Sequence, residues 1–554
     1  MRTTIITRRN RIAVIAFGLL FPALSTWAQR DTSKPQTIDI TSSFKPSLRK
    51  AAKINFSGTA LAVDTTRPVL AYTIPEQNLF YAYRPVTLQP LALRQDSNLY
   101  LGNRRYVKAG FGSYTTPYVQ AGFSFGDGRT SLVNVAGDYV GSKGNEIAYE
   151  DFNEMHVKVA GSYFLPKQEL YGYVANRSAN YYLYGYDHTL YPSVKQTDIR
   201  QQYQDIALQG GFRNTATNPV GINYDPHVEA QFFTNRNLAS ETDVQVYLPI
   251  EKRFAEQFSF RIEGKADLTN YATKSYIPAN ITLSNNIVQV SPTVSYHSPL
   301  LNFTGGISPV WNNGKQEWLP NIHAEAQLEG KRFMLQGGWT GKFVKNSYRN
   351  LSQVNPYMAI MTSQLNTKET EFYGGIKATV GGHFNMSATA GWIKYENFAL
   401  FVNDTAALEN KFDVVYEPTS SNLRIKGDIS YVNQDKFSLT AGLTLNGYTG
   451  FRVNDHAYHT LPMEFTTSLR WWAMKKLLVK ADAYTFAGPK YITKGKQVRS
   501  LDGATDLSLG AEYSINKQFS LWLDGNNLLN NKYQRWHNYE VYGLNLVGGI
   551  RINF

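Results

Sequence analysis

Residues 543–554 read GLNLVGGIRINF. In an extended chain successive side chains point to opposite faces, so Leu544, Leu546, Ile550, Ile552 and Phe554 share one face. Asn545, Arg551 and Asn553 share the other. The same period of two recurs upstream. Phe258, Phe260, Ile262, Ala266 and Leu268 alternate with Ser259, Arg261, Glu263, Lys265, Asp267 and Thr269. Ile322, Ala324, Ala326 and Leu328 alternate with His323, Glu325, Gln327 and Glu329. Leu423, Ile425, Ile429 and Tyr431 alternate with Arg424, Lys426, Asp428 and Ser430. A strand with one apolar and one charged face needs two different surroundings.

A soluble β-sandwich and a membrane barrel both supply them. Length decides: the alternating segments run well beyond the ~5–6 residues usual in globular strands and reach the ~9–11 that cross a bilayer at a tilt. Turns agree. Short ones are expected at 126–129, 166–168, 381–382, 433–436, 474–476 and 516–518. Longer loops are expected near 141–151, 184–200, 270–280, 345–366, 403–411, 448–460, 487–503 and 529–541. Short turns on one side and long loops on the other are the asymmetry of a transmembrane barrel. The pattern predicts an all-β, antiparallel transmembrane β-barrel of about 22 strands over residues 104–554, its first strand near 104–115 and its last at 542–554.

Composition supports this. Of 554 residues 14% are aromatic, with 37 Tyr and 30 Phe, and only 18% are charged, against roughly 25% in an average soluble domain. There is no Cys, which excludes a disulfide scaffold, a thiolate metal site and a Cys nucleophile. The net charge of +13 is spread among acidic residues, with no basic tract of the kind nucleic acid requires. Arg2, Arg8, Arg9 and Arg11 precede the apolar run 12–28, IAVIAFGLLFPALSTWA, which reads as a secretory signal peptide cut after Ala28. Residues 29–103 carry Pro46, Pro68, Pro75, Pro85 and Pro90 and are expected to be an extended periplasmic or lumenal segment.

Chemistry-bearing motifs are sparse. H-E-x-x-H, G-x-S-x-G and Walker A sequences are absent. Gly337–Phe343 only approaches the last. Asp455, His456 and His459 form the one close group of metal-capable residues, in an expected external loop where such histidines are more often solvated. His227 and His323 fall on expected strands without an assignable Ser or Asp partner. No catalytic residue, cofactor or metal is therefore expected. Arg261, Glu263, Lys265, Asp267, Glu325, Arg424, Lys426 and Asp428 are the candidates for lining a water-facing lumen. Tyr181, Tyr182, Tyr184, Tyr186, Trp536 and Tyr542 are external aromatics with the chemistry to stack on sugars or to form an interfacial girdle.

The stretch 519–554, FSLWLDGNNLLNNKYQRWHNYEVYGLNLVGGIRINF, resembles the last two strands of TonB-dependent outer-membrane receptors, where an Asn-Leu-Leu-Asn-x-x-Tyr segment precedes the closing strand. Its end, with Ile550, Ile552 and Phe554 on one face, resembles the signal by which the barrel assembly machinery recognises outer-membrane barrels. FKPSLRKAAKI at 44–54, with Asp64-Thr65-Thr66 and AYTI at 71–74, is similar to the start of a plugless TonB-receptor-like group. The resemblance implies an outer-membrane location and uptake or passage of a solute. It also singles out Thr37, Ile38, Asp39, Ile40 and Thr41 as a candidate TonB box. The departure is at the front, where 29–103 is shorter than the family's plug. That shortfall motivates an alternative, a non-transporting subunit scaffolding an outer-membrane protein or lipoprotein complex. The expected partners are outer-membrane lipid, the assembly machinery, and TonB or a lipoprotein.

Overall fold

The computed structural model describes residues 105–554, except 217–219, 237, 275–278, 329–331, 381–382, 406–407 and 434–435. The expected signal peptide, the segment 29–103 and the candidate TonB box at 37–41 lie outside the described residues.

Twenty-two antiparallel strands follow one another round a closed barrel. Each pairs with its sequence neighbours, and Tyr106–Gly112, the first, closes on Asn545–Asn553, the last, from Tyr106 opposite Asn553 to Gly112 opposite Val547. Closure leaves no free edge, the condition for a sheet in lipid. A further short strand, Ile222–Tyr224, adds onto the turn end of Ala239–Arg253. Strands range from 7 residues at Tyr106–Gly112 to 22 at Phe412–Asn433. The first strand is shorter than the expected 104–115 because Ser113–Thr115 turns away as a 3-10 segment, with Tyr114 and Thr115 at positive φ.

The period of two is sorted inside out relative to a soluble protein. In the closing strand Leu546 and Ile550 are 45% and 49% exposed, while Asn545 and Val547 are 1% and 0% exposed. Phe260, Ile262 and Leu268 face outward in the same way, with Asp267 and Thr269 buried between them. A sheet that exposes its apolar side and withdraws its polar side has lipid outside. Near the turn-bearing ends, Phe125, Tyr163, Phe212, Phe254, Tyr513 and Phe519 are exposed and form an aromatic girdle. No helix among the described residues is long and apolar enough to cross a membrane; the strands cross it.

The strand ends that flank the expected turns lie together at the end that holds both Arg105 and Phe554. Further tight turns there follow Arg253 and His297. At the other end the loops are long, with three exceptions expected to be neither turns nor loops: 113–115, 236–238 and 313–314. The tallest hairpin, Phe384–Asn403 with Phe412–Asn433, rises above its neighbours on the loop side.

The joint between first and last strands has its own fastening. Gly110 and Gly549 face each other and Gly549 also faces Trp522, so the three form one row across the seam. The Trp522 indole lies over this row, and a methyl group added at Gly110 would overlap it. The Lys108 ammonium sits 4.0 Å from the indole centre and 3.5 Å from Asp524, with the Tyr118 ring edge-on to the indole at 5.4 Å. Cation, ring and carboxylate thus clasp the seam from inside. Gly110→Ala should cost about 1–3 kcal/mol through overpacking, read as a lower denaturant midpoint for the folded, gel-shifting form, whereas Gly374→Ala, in open space on the exposed face of the strand Thr367–Val380, should leave the midpoint nearly unchanged.

Candidate functional site

Two features occupy the interior: a charged wall and a cap of loops. On the wall, opposite charges on the same face of the sheet meet. Arg261 pairs with Glu263, Lys377 Nζ with Glu325 Oε1 at 2.7 Å, and one Arg424 Nη reaches both Glu371 oxygens at 2.8 Å. Asp428 accepts from Ser387 Oγ at 3.3 Å. Lys426 is half-buried on the same face between Arg424 and Asp428, and Lys265 is exposed on the lumenal face. Asp267 is engaged differently, by Lys345 at 2.6 Å, a residue of the loop 345–366. The wall is a mixed-sign, internally paired surface rather than a field of one sign.

The loop 345–366 reaches a distant part of this wall. It leaves the barrel at Phe333–Val344 and returns at Thr367–Val380, yet lands on strands between Arg200 and His297. Its helix, Tyr348–Val354, is capped by Ser347, whose side chain accepts from the Asn350 amide. Glu241, on Ala239–Arg253, accepts from the Tyr348 and Arg349 amides at 2.7 and 3.2 Å and from Gln364 at 3.2 Å. Arg349 Nε lies 2.7 Å from Asp205 Oδ2. Tyr348 is fully buried between Phe233 and Tyr271, its hydroxyl 2.7 Å from Asn235 Nδ2. The Tyr203 hydroxyl donates to the Pro356 carbonyl at 2.7 Å.

The other loops meet it in an aromatic node. Tyr357 stacks on Tyr539 at 3.5 Å, Tyr184 meets both rings edge-on, and Phe412, at the tip of the tall hairpin, lies 6.0 Å from Tyr539 and 5.4 Å from Trp536. The hydroxyls anchor backbone: Tyr539 donates to Asn410 O at 2.6 Å, Tyr184 to Glu540 O at 2.9 Å, and Tyr542 to Glu150 O at 2.5 Å. Burial holds the Tyr184, Tyr357 and Tyr539 hydroxyls far above their ordinary titration range. The Asn-Leu-Leu-Asn-x-x-Tyr segment builds the loop that carries Tyr539. Asn527 and Asn530 take positive φ, which Asn tolerates. Asn527 bridges Asn531 and Tyr542, and the Tyr533 hydroxyl reaches Asp506 at 2.9 Å.

Several expectations are corrected here. Tyr181, Tyr184, Tyr186, Trp536 and Tyr542 are buried in the cap, so they are neither an exposed sugar platform nor a lipid girdle. Tyr184, Tyr186, Trp536 and Tyr542 belong to loops that fold inward, a destination that no periodicity encodes, and Tyr181, near the loop-side end of the strand Gln168–Tyr182, packs beneath them. His459 is not solvated: its Nδ1 lies 2.9 Å from the Phe401 carbonyl and its ring stacks on Trp536 at 5.5 Å, whereas His456 lies beside Lys490. Among the described residues no three His, Asp or Glu are grouped to hold a metal. Gly337–Phe343 lies within the strand Phe333–Val344. His323 Nδ1 lies 2.9 Å from the Tyr373 hydroxyl and His227 Nδ1 lies 3.3 Å from that of Tyr171.

Sequence comparisons are silent: no family model matches the chain, and no curated protein matches it. Structures are not. The FrpB iron transporter from Neisseria meningitidis superposes with a TM-score of 0.63 at 9% identity over 81% of each chain. The siderophore receptor PirA from Pseudomonas aeruginosa gives 0.57 at 10% identity, covering 81% of this chain and 79% of that one. The copper transporter OprC gives 0.61 at 12% identity, covering 82% and 83%. At such identities the likeness is one of fold. That fold is a closed 22-stranded antiparallel barrel, shared with these transporters and this receptor.

The cap also carries a pH dependence. Burial pushes the His459 imidazole down to about 3, opposed by its bond to Phe401 and reinforced by Arg535 and His537. Burial lowers His537 as well, against the pull of Glu409. In an unpacked loop these rings take a proton near ~6.5. The packed cap is therefore at full stability above about 6.5 and loses it as pH falls from there toward 3. Limited proteolysis of the loops should accelerate between pH 7 and about 4.5. His459→Asn, which keeps a donor for Phe401 but cannot titrate, should flatten most of that rise.

Proposed function

We propose that this chain is an outer-membrane barrel, exported by its N-terminal signal, through which a solute is taken up, and that it is not an enzyme. The observation that carries the reading is a closed 22-stranded wall with lipid outside and paired charges inside, its mouth spanned by inward-folded loops. A barrel of this width is kept plugged in known examples. Solved barrels of the same fold are an iron transporter, a siderophore receptor and a copper transporter. In this reading residues 29–103 are a reduced plug or periplasmic contact, and Thr37, Ile38, Asp39, Ile40 and Thr41 engage TonB. Ile550, Ile552 and Phe554 present the assembly signal. Arg261, Glu263, Lys265, Glu325, Arg424, Lys426 and Asp428 line the path, and Asp267 ties down the loop above it.

Planar-bilayer conductance tests this. The full chain should be closed and a chain lacking residues 30–100 should conduct; if neither conducts, the loops alone seal the lumen and the reduced-plug assignment is wrong.

One feature favours a second reading. The cap turns its aromatic faces into its own core instead of offering them to a ligand, as expected of a scaffold that holds a lipoprotein or another barrel against its rim. Purification in gentle detergent should then recover a stoichiometric partner, and a solitary protein on repeated preparations removes the scaffold reading.

A further inference from the structure

The turns at the end that holds Arg105 and Phe554 carry charge of one sign along part of the rim. Lys436, Lys475, Lys476 and Lys517 lie on successive turns, with Arg105 and Arg129 beyond them, and all are exposed. Backbone bonds join each turn to the next: Trp472 N to Lys436 O and Ser514 N to Lys476 O at 2.8 Å, Asn553 N to Gln518 O at 2.7 Å, and Phe554 N to Arg105 O at 2.8 Å. Arg105 continues the series by donating to Ser124 O at 3.3 Å and lying over the Phe125 ring. The cations therefore form one continuous arc. Because each hairpin is two strands wide, neighbouring turns are about 10 Å apart.

Opposing charge is scarce there. The same turns contain only the acids Asp127 and Asp435, and Asp127 is engaged by the amides of Arg129, Thr130 and Ser131. No carboxylate of the described residues forms an ion pair with a cation of the arc; Lys476 donates to the Ile515 carbonyl at 3.0 Å. The wall and the loop side are built otherwise. There Arg470 pairs with Asp482, Lys494 with Glu409 and Lys532 with Glu146.

Depth decides what the arc faces. Trp471, Tyr513, Phe519 and Phe125 are exposed on the strand ends next to these turns, and outward aromatic rings mark the level at which hydrocarbon gives way to headgroups. A lysine just beyond that level lays its methylene stem along the apolar wall and places its ammonium among phosphates. A phosphate diester without an amine of its own, as in phosphatidylglycerol, offers the arc net negative charge; phosphatidylcholine brings a compensating cation. Short turns put this end on the periplasmic side. We infer that the arc from Lys436 to Arg129 binds anionic phospholipid headgroups of the periplasmic leaflet and selects them over zwitterionic ones. This holds whether the barrel passes a solute or serves as a scaffold.

For the test, the full chain is reconstituted in vesicles of equimolar phosphatidylglycerol and phosphatidylcholine with the same acyl chains and released in mild detergent, and the lipids it retains are counted by native mass spectrometry. Wild type should retain phosphatidylglycerol over phosphatidylcholine by about threefold or more, the scale expected of a few cations near a phosphate. Lys436→Gln, Lys475→Gln, Lys476→Gln and Lys517→Gln together should bring the ratio close to one. Lys195→Gln, Lys274→Gln, Lys394→Gln and Lys496→Gln together, which remove the same charge from exposed loop-side positions, should leave the ratio as in wild type. Gel shift on heating checks that each variant folds, and if the first set does not assemble, Lys475→Gln with Lys476→Gln alone should lower the ratio by a smaller amount. Equal retention of the two lipids by wild type, which would turn the arc toward an acidic partner in the periplasm, or an equal fall in the loop-side set would each overturn the proposal.

Discussion

In lipid there is no water to accept a stray backbone hydrogen bond, so a sheet there must meet itself. Everything else in this molecule is arranged around that one joint. The seam pairs Tyr106–Gly112 with Val547–Asn553, segments from opposite ends of the described chain, and it has only seven facing pairs. Glycines at its centre let the two backbones and an indole approach closely, and a lysine–carboxylate pair completes the fastening. Once closed, the wall sorts its side chains by solvent, and the alternation of apolar and polar residues follows.

That sorting is why so much of the fold was legible. The closing strand declares its two faces in twelve residues, and the charged and apolar registers around Arg261 and Arg424 do the same. Turn residues mark the hairpins, and long loops on one end give the polarity. What was not legible lies beyond the strands. Tyr542 bonds to Glu150, 392 residues away, and Tyr184 to Glu540, 356 away. Aromatic residues in a loop carry no period, so their sequence context does not distinguish a ring in lipid, in water or in a neighbouring loop. The lumenal charges were recognisable by parity, but their partners were not. Glu371 and Lys377 share the strand Thr367–Val380, two strands away from Arg424 on one side and from Glu325 on the other, so which charges meet is set by the register of the whole sheet.

The Asn-rich segment before the last strand shows the two levels meeting. As a motif it marks a resemblance. As a structure it is a set of left-handed asparagines that fold a loop back so that Tyr533 reaches Asp506 and Tyr539 reaches the centre of the mouth. The motif therefore serves the cap as much as the closing strand, which accounts physically for its place immediately ahead of that strand.

The node of Tyr184, Tyr357 and Tyr539 joins loops rooted at widely separated points on the rim. A closed single-layer sheet is a thin-walled tube, and such tubes deform most easily by becoming oval. Loops that run inward from different parts of the rim and are riveted at a common hub act as spokes. They oppose flattening of the circle under the sideways pressure of the surrounding bilayer, so the cap contributes stiffness to a cross-section that its wall alone would leave compliant.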